Sequence, residues 1–150
     1  MNLTQKEQWT NNILTLIQYS MLLVFALTGN WVAHNLALLI MQIFGIGLGF
    51  WAIMVMRKSK LHIAPRPKTQ AILIQSGPYK LIRHPMYAAI LLTFIPLIVE
   101  NPEPLRLIVF FILFGNLLLK LHFEENLLTR FFPTYSVYKK STYRLLPYVY

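Results

Sequence analysis

The feature that most constrains this chain is a series of apolar runs from which charge is almost absent. The first, residues 12–29 (NILTLIQYSMLLVFALTG), is uncharged throughout, and the second occupies 36–56. A helix needs about 20 such residues to cross the hydrocarbon core of a bilayer. Two further runs, 85–99 and 105–121, follow a polar interval. Only 13% of the residues are charged and 56% are hydrophobic. A water-soluble domain spends about a quarter of its residues on charge, so this chain lacks the polar side chains to cover a soluble surface. The pattern predicts an all-α integral membrane protein of about four transmembrane helices, within one domain covering 1–150.

Charge distribution predicts the orientation. Residues 57–83 hold seven basic side chains and no acid, while the link 100–104 carries two of the five acids. Positive residues collect on the cytoplasmic side. The loop 57–84, the tail 122–150 and both termini are therefore expected in the cytoplasm. The first run lacks the basic leader and small-residue cleavage site of a signal peptide, and is expected to stay as an anchor. The net charge of +9 sits between the apolar runs, where it faces anionic headgroups and not nucleic acid. Cysteine is absent, which excludes thiol nucleophiles, disulfides and Cys-ligated metals. Gly45, Gly47 and Gly49 in the second run suit either close helix approach in lipid or a kinked helix.

Two polar stretches carry the candidate chemistry. In the first, Ser76-Gly77-Pro78-Tyr79 sets a turn and Arg83-His84-Pro85-Met86-Tyr87 opens the third run. Pro85 suits a first helical turn, leaving Arg83 and His84 beside free N–H groups that favour an anion. An aromatic belt at headgroup depth explains the same residues without chemistry. In the second stretch, Lys120-Leu121-His122-Phe123-Glu124-Glu125, Glu124 shares a helix face with Lys120 if the helix continues. A carboxylate there suits a cationic or hydroxyl-bearing ligand, or simply a salt bridge. No regular ligand spacing joins His62, His84, His122 and these acids, so no metal site is expected. The aromatic and basic tail is expected to lie on the membrane, or to fold as a lid over the cytoplasmic mouth.

Taken together, Gly77-Pro78-Tyr79, Arg83-His84-Pro85-Met86-Tyr87, Glu124-Glu125 and Phe132-Pro133-x-Tyr135-x-x-Tyr138-Lys139 resemble the isoprenylcysteine carboxyl methyltransferases and their relatives among phospholipid methyltransferases. The resemblance covers about half of the chain. It implies a multi-pass membrane enzyme that uses S-adenosylmethionine without a Rossmann fold. The implied cofactor wall is Ala71, Ile72, Leu73, Ile74, Tyr79, His84, Pro85, Met86 and Tyr87, with Glu124 contacting the cofactor from the fourth span. Lys120 and Glu124 are the implied catalytic pair. The family's substrate-side arginine is Lys120 here, which keeps the charge but loses the two-pronged grip on a carboxylate. The implied acceptor is lipid-like and enters from the bilayer, either a prenylcysteine carboxylate or a phospholipid amine. Two alternatives remain. Membrane sterol reductases, which bind NADPH, have a similar Arg-His-Pro-x-Tyr motif and a similar closing tail. A non-catalytic membrane scaffold would also keep such a pocket.

Overall fold

The computed structural model describes residues 3–57 and 73–148. It contains five α-helices and one short 3-10 turn, and no β-strand among the described residues. Helix α1 spans Gln5–Leu27. It begins earlier than the apolar run because Thr4 caps it. The Thr4 hydroxyl accepts from the Glu7 N–H, and the Glu7 carboxylate accepts from the Thr4 N–H, a reciprocal pairing that satisfies two otherwise free donors. Helix α2, Leu36–Met56, has the bounds expected from its apolar run, with the Asn35 side chain accepting from the N–H groups of Ala37 and Leu38. The 3-10 turn Gly77–Lys80 leads to α3, Pro85–Glu100, and α4 covers Pro104–Phe131. A last helix, α5, covers Tyr135–Lys140.

Helices α1, α2 and α4 are long and apolar enough to cross a membrane, whereas α3 has 16 residues. The 28 residues of α4 give about 42 Å at 1.5 Å per residue, more than a bilayer core of about 30 Å requires. The fourth helix therefore does not stop at 121. It carries Glu124 and Glu125 on continuous helix, in register with Lys120.

The four long helices pack as two pairs, α1 on α4 and α2 on α3, with much sparser packing between the pairs. Glycine makes the second pair possible. A Cβ on Gly45 would lie 2.8 Å from the Thr93 backbone nitrogen and 2.9 Å from the Leu92 carbonyl carbon, and one on Gly49 would lie 3.2 Å from Ala89. Gly47 faces open space. The triplet thus resolves into a close-approach face and one neutral position.

Burial departs from that of a soluble protein, although an apolar core around Phe25, Leu113, Leu117 and Leu121 is present. Leu16, Leu23, Ile40, Phe44, Phe50 and Phe111 are exposed, while Asn11, Gln18, Gln42, Arg106, Asn116, Lys120 and Glu125 are buried. Polar groups are costly against lipid and turn toward one another. At the end where α1 leads to α2, two of them and the half-buried Glu100 anchor the link. Gln42 accepts from the Ala33 N–H and donates to the Trp31 carbonyl. Glu100, ending α3, accepts from the N–H groups of His34 and Asn35. Arg106 donates to the Asn30 carbonyl.

Replacing Gly45 by alanine is expected to destabilise the purified protein by about 1–3 kcal/mol through overpacking. Gly47→Ala is expected to cost nothing. Thermal unfolding in detergent measures both.

Candidate functional site

The sparse packing between the two helix pairs leaves a cavity of about 930 Å³, within the range of roughly 300–1,000 Å³ that small-molecule sites occupy. On α1 its lining runs from Asn11 to Leu22, about 16 Å along the helix. That is about half the thickness of a bilayer core. The cavity's two ends differ in chemistry. Leu22, Gly45, Ile46 and Phe94 line one, whereas Asn11, Tyr79, Arg83, His84, Lys120 and Glu124 line the other.

The polar end is built where α3 begins and α4 ends. The 3-10 turn reverses the chain at Gly77, whose φ of +59° suits glycine, and buries Tyr79. Pro85 then starts α3, and its fixed φ suits a first turn. His84, just before it, is buried and stacks on the Tyr87 ring at 5.4 Å with the planes 2° apart. The imidazole lies between the two glutamates of α4, with Nδ1 3.8 Å from Glu124 and Nε2 3.6 Å from Glu125.

The adjacent glutamates have separate surroundings. Glu124 lines the cavity and accepts from the Tyr87 hydroxyl at 2.7 Å. Glu125 points away from it and is only 1% exposed. There it meets Arg83 Nε at 2.6 Å, Arg144 Nε at 3.3 Å and Lys139 Nζ at 3.7 Å. Lys120, one turn before Glu124, has its ammonium 2.9 Å from Gln18 Oε1 and 5.9 Å from the centre of the Tyr87 ring.

The tail strengthens the segment that carries His84. Arg83 and His84 donate backbone N–H bonds to the carbonyls of Tyr143 and Arg144, and Tyr143 donates back to Leu81. The Arg83 guanidinium donates to the carbonyls of Lys139 and Thr142. The Tyr138 hydroxyl donates to the Tyr79 carbonyl at 2.6 Å. Burial pushes the Tyr138 phenol up to about 12 and raises Tyr79 and Tyr135 as well, so all three stay neutral near pH 7. None of the described residues beyond Leu128 lines the cavity. The tail backs the cavity wall from behind, in contrast to the lid expected from its composition.

Of the residues singled out by sequence, Tyr79, His84, Pro85, Met86, Tyr87, Lys120 and Glu124 come together on this one cavity. Leu73 and Ile74 are half-buried and do not line it. Ala71 and Ile72 lie outside the described residues. Sequence reasoning did not single out the α1 wall of Asn11, Asn12, Thr15, Gln18 and Tyr19. The signal for it is a pair of amides, Asn11 and Gln18, at helical spacing in an otherwise apolar segment. Among the described residues, no three His, Asp or Glu side chains are grouped as metal ligands.

Residues 32–135 match the model of the phospholipid methyltransferase family. The match covers more than half of the chain, which belongs to that family, a group of membrane methyltransferases. No curated protein and no solved structure matches it.

The two glutamates are expected to behave differently when truncated. Glu125→Ala leaves the buried Arg83 side chain without a counter-charge and is expected to cost about 3–5 kcal/mol of stability. Glu124→Ala opens onto the cavity and is expected to cost less than about 1.5 kcal/mol. Unfolding of the two variants in the same detergent checks the contrast.

Proposed function

We propose that this protein transfers the methyl group of S-adenosylmethionine to the amine of a phospholipid drawn from the bilayer. The observation that carries the reading is the cavity, charged at one end and apolar along the other. An amphiphile fits such a space with its head among the polar groups and its chain among Leu22, Gly45, Ile46 and Phe94. Membership of a phospholipid methyltransferase family supports a lipid acceptor.

The residues present suit the cofactor. The N-terminal turn of α3 beside His84 suits a carboxylate, and Glu124 supplies negative charge toward a sulfonium or an amine. Tyr79 and Tyr87 add aromatic faces. When bound, the cofactor supplies an electrophilic methyl on positively charged sulfur. Transfer of that methyl to an amine would exchange its carbon–sulfur bond for a carbon–nitrogen bond, with the electron pair left on sulfur. Such an in-line displacement depends on alignment, which the rigid start of α3 and the strap behind it provide.

An ammonium is no nucleophile until it loses a proton. Glu124 is the base placed to take it. Its Oε1 is held by the Tyr87 hydroxyl, and its Oε2 lies 3.8 Å from His84 Nδ1. A carboxylate acceptor would need no such base. It would also lose the bidentate grip that an arginine at position 120 would offer.

We place four spans in the bilayer, counting α3, with both termini, the tail and the polar end of the cavity on the cytoplasmic side, all within a single domain. The basic 57–83 stretch and the acidic 100–104 link support this orientation. The chain has no cysteine, so a single introduced one reports its own position. Ser136→Cys is expected to react with a membrane-impermeant thiol reagent only from the cytoplasmic side. Asn101→Cys is expected to react only from the opposite side. The reverse labelling would overturn the orientation.

Binding tests the cofactor. Purified protein is expected to bind S-adenosylmethionine saturably and NADPH not at all. His84→Ala and Glu124→Ala are each expected to weaken that binding about ten- to hundredfold, as loss of a hydrogen bond to a charged ligand group does. NADPH binding alone would point to a reductase, and folded protein that binds neither would point to a scaffold.

A further inference from the structure

Helix α1 ends at Leu27 and lies wholly outside the family match, which begins at residue 32, yet it forms one wall of the cavity. Asn11, Thr15, Gln18 and Leu22 all line it. Their spacing of four, three and four places them on one helical face. Leu23 and Leu27 point outward and are exposed. Asn11, Thr15 and Gln18 of α1 therefore face inward, where an unpaired amide is costly.

The partner of Gln18 is the one cation available on the α4 side of the cavity. Lys120 Nζ donates to Gln18 Oε1 at 2.9 Å, and the two residues are 5% and 8% exposed. Among the described residues no carboxylate lies within ion-pairing distance of Lys120, although Glu124 is one turn away on the same helix face. Side chains at that spacing pair readily when nothing holds them apart. Glu124 is turned instead to Tyr87 and His84.

We propose that Gln18 is a positioning residue that holds the Lys120 ammonium away from Glu124, so that the cavity presents a cation and an anion as separate poles to a zwitterionic lipid headgroup. This inference rests on the phospholipid reading above and deepens it. Lys120 has three N–H donors, of which Gln18 takes one. The others remain for the phosphate oxygens of the headgroup, while Glu124 stays open to its amine. Without Gln18, the flexible lysine stem swings to Glu124 and the two charges cancel. α1 thus acts in headgroup selection through an amide that the family match does not cover.

The test uses thermal stabilisation of the purified full chain by added ligand. Dihexanoyl phosphatidylethanolamine is expected to raise the melting temperature of the natural protein, and dihexanoylglycerol, which lacks the phosphate and amine, is not. Gln18→Met keeps the side chain long and unbranched. It is expected to require at least tenfold more phosphatidylethanolamine for the same shift, and to keep the response to S-adenosylmethionine. Lys120→Met is expected to do the same, and the double variant to be no worse than either single one. Should Gln18→Met not fold, Gln18→Glu keeps an oxygen against Lys120 but cancels its charge, and the same tenfold loss is expected.

Additive losses in the double variant, or an unchanged lipid response in both Gln18 variants, would overturn the inference. So would equal stabilisation by the phosphate-free lipid, or no stabilisation of the natural protein by phosphatidylethanolamine. Absence of any response to S-adenosylmethionine in the natural protein would instead remove the methyltransferase reading, and would leave the lipid result to stand by itself.

Discussion

The carboxylate of Glu125, 1% exposed on the penultimate turns of α4, is the point on which three separate pieces of chain converge. Arg83 reaches it from the approach to α3, and Lys139 and Arg144 reach it from α5 and the segment beyond. A buried carboxylate without partners would be severely destabilising, and so would a buried guanidinium. Each therefore requires the other. The backbone bonds between 81–84 and 143–144 run beside this ion pair and hold the tail against it. The position of His84, and through it the polar end of the cavity, depends on this convergence.

Two adjacent acids consequently do unlike work. On a helix, consecutive side chains point about 100° apart, so Glu124 and Glu125 face different surroundings and share only the His84 ring between them. One faces the space between the helix pairs and the other faces the strap behind it. The cavity-facing glutamate is supported by a structural one. The two differ in how many partners each has: Glu125 is surrounded by cations, whereas Glu124 has a phenol, and an imidazole at 3.8 Å.

Much of the architecture was legible in the residues. The bounds of α2 follow from its uncharged run, and the start of α3 follows from Pro85. Seven of the cofactor and catalytic positions implied by the resemblance meet on one cavity. The misplaced limits share a cause. Hydropathy reports where lipid contact begins and ends, and a helix continues wherever its backbone bonds and caps allow. Thr4 and Glu7 therefore start α1 at Gln5, ahead of its apolar run, and α4 continues past Leu121 to Phe131. The tail's aromatic and basic composition spoke for a cover over the site, but composition carries no information about which side of a wall it covers.

The sequence by itself determined the solvent and the element type. Long uncharged stretches must lie in lipid, and in lipid a single segment satisfies its backbone only as a helix. It also determined which residue types were costly to keep there, and so which ones required explanation. The tertiary structure alone decided how the helices pair, because side chains that all tolerate lipid give little preference for one apolar neighbour over another. Close approach at Gly45 joined α2 to α3, and hydrogen bonds from Asn116 to the Leu14 carbonyl and from Lys120 to Gln18 joined α4 to α1. From that pairing came the cavity, and with it the distinct roles of Glu124 and Glu125. The α1 wall came from it as well, since a glutamine at position 18 and a lysine at position 120 meet only once the chain has folded.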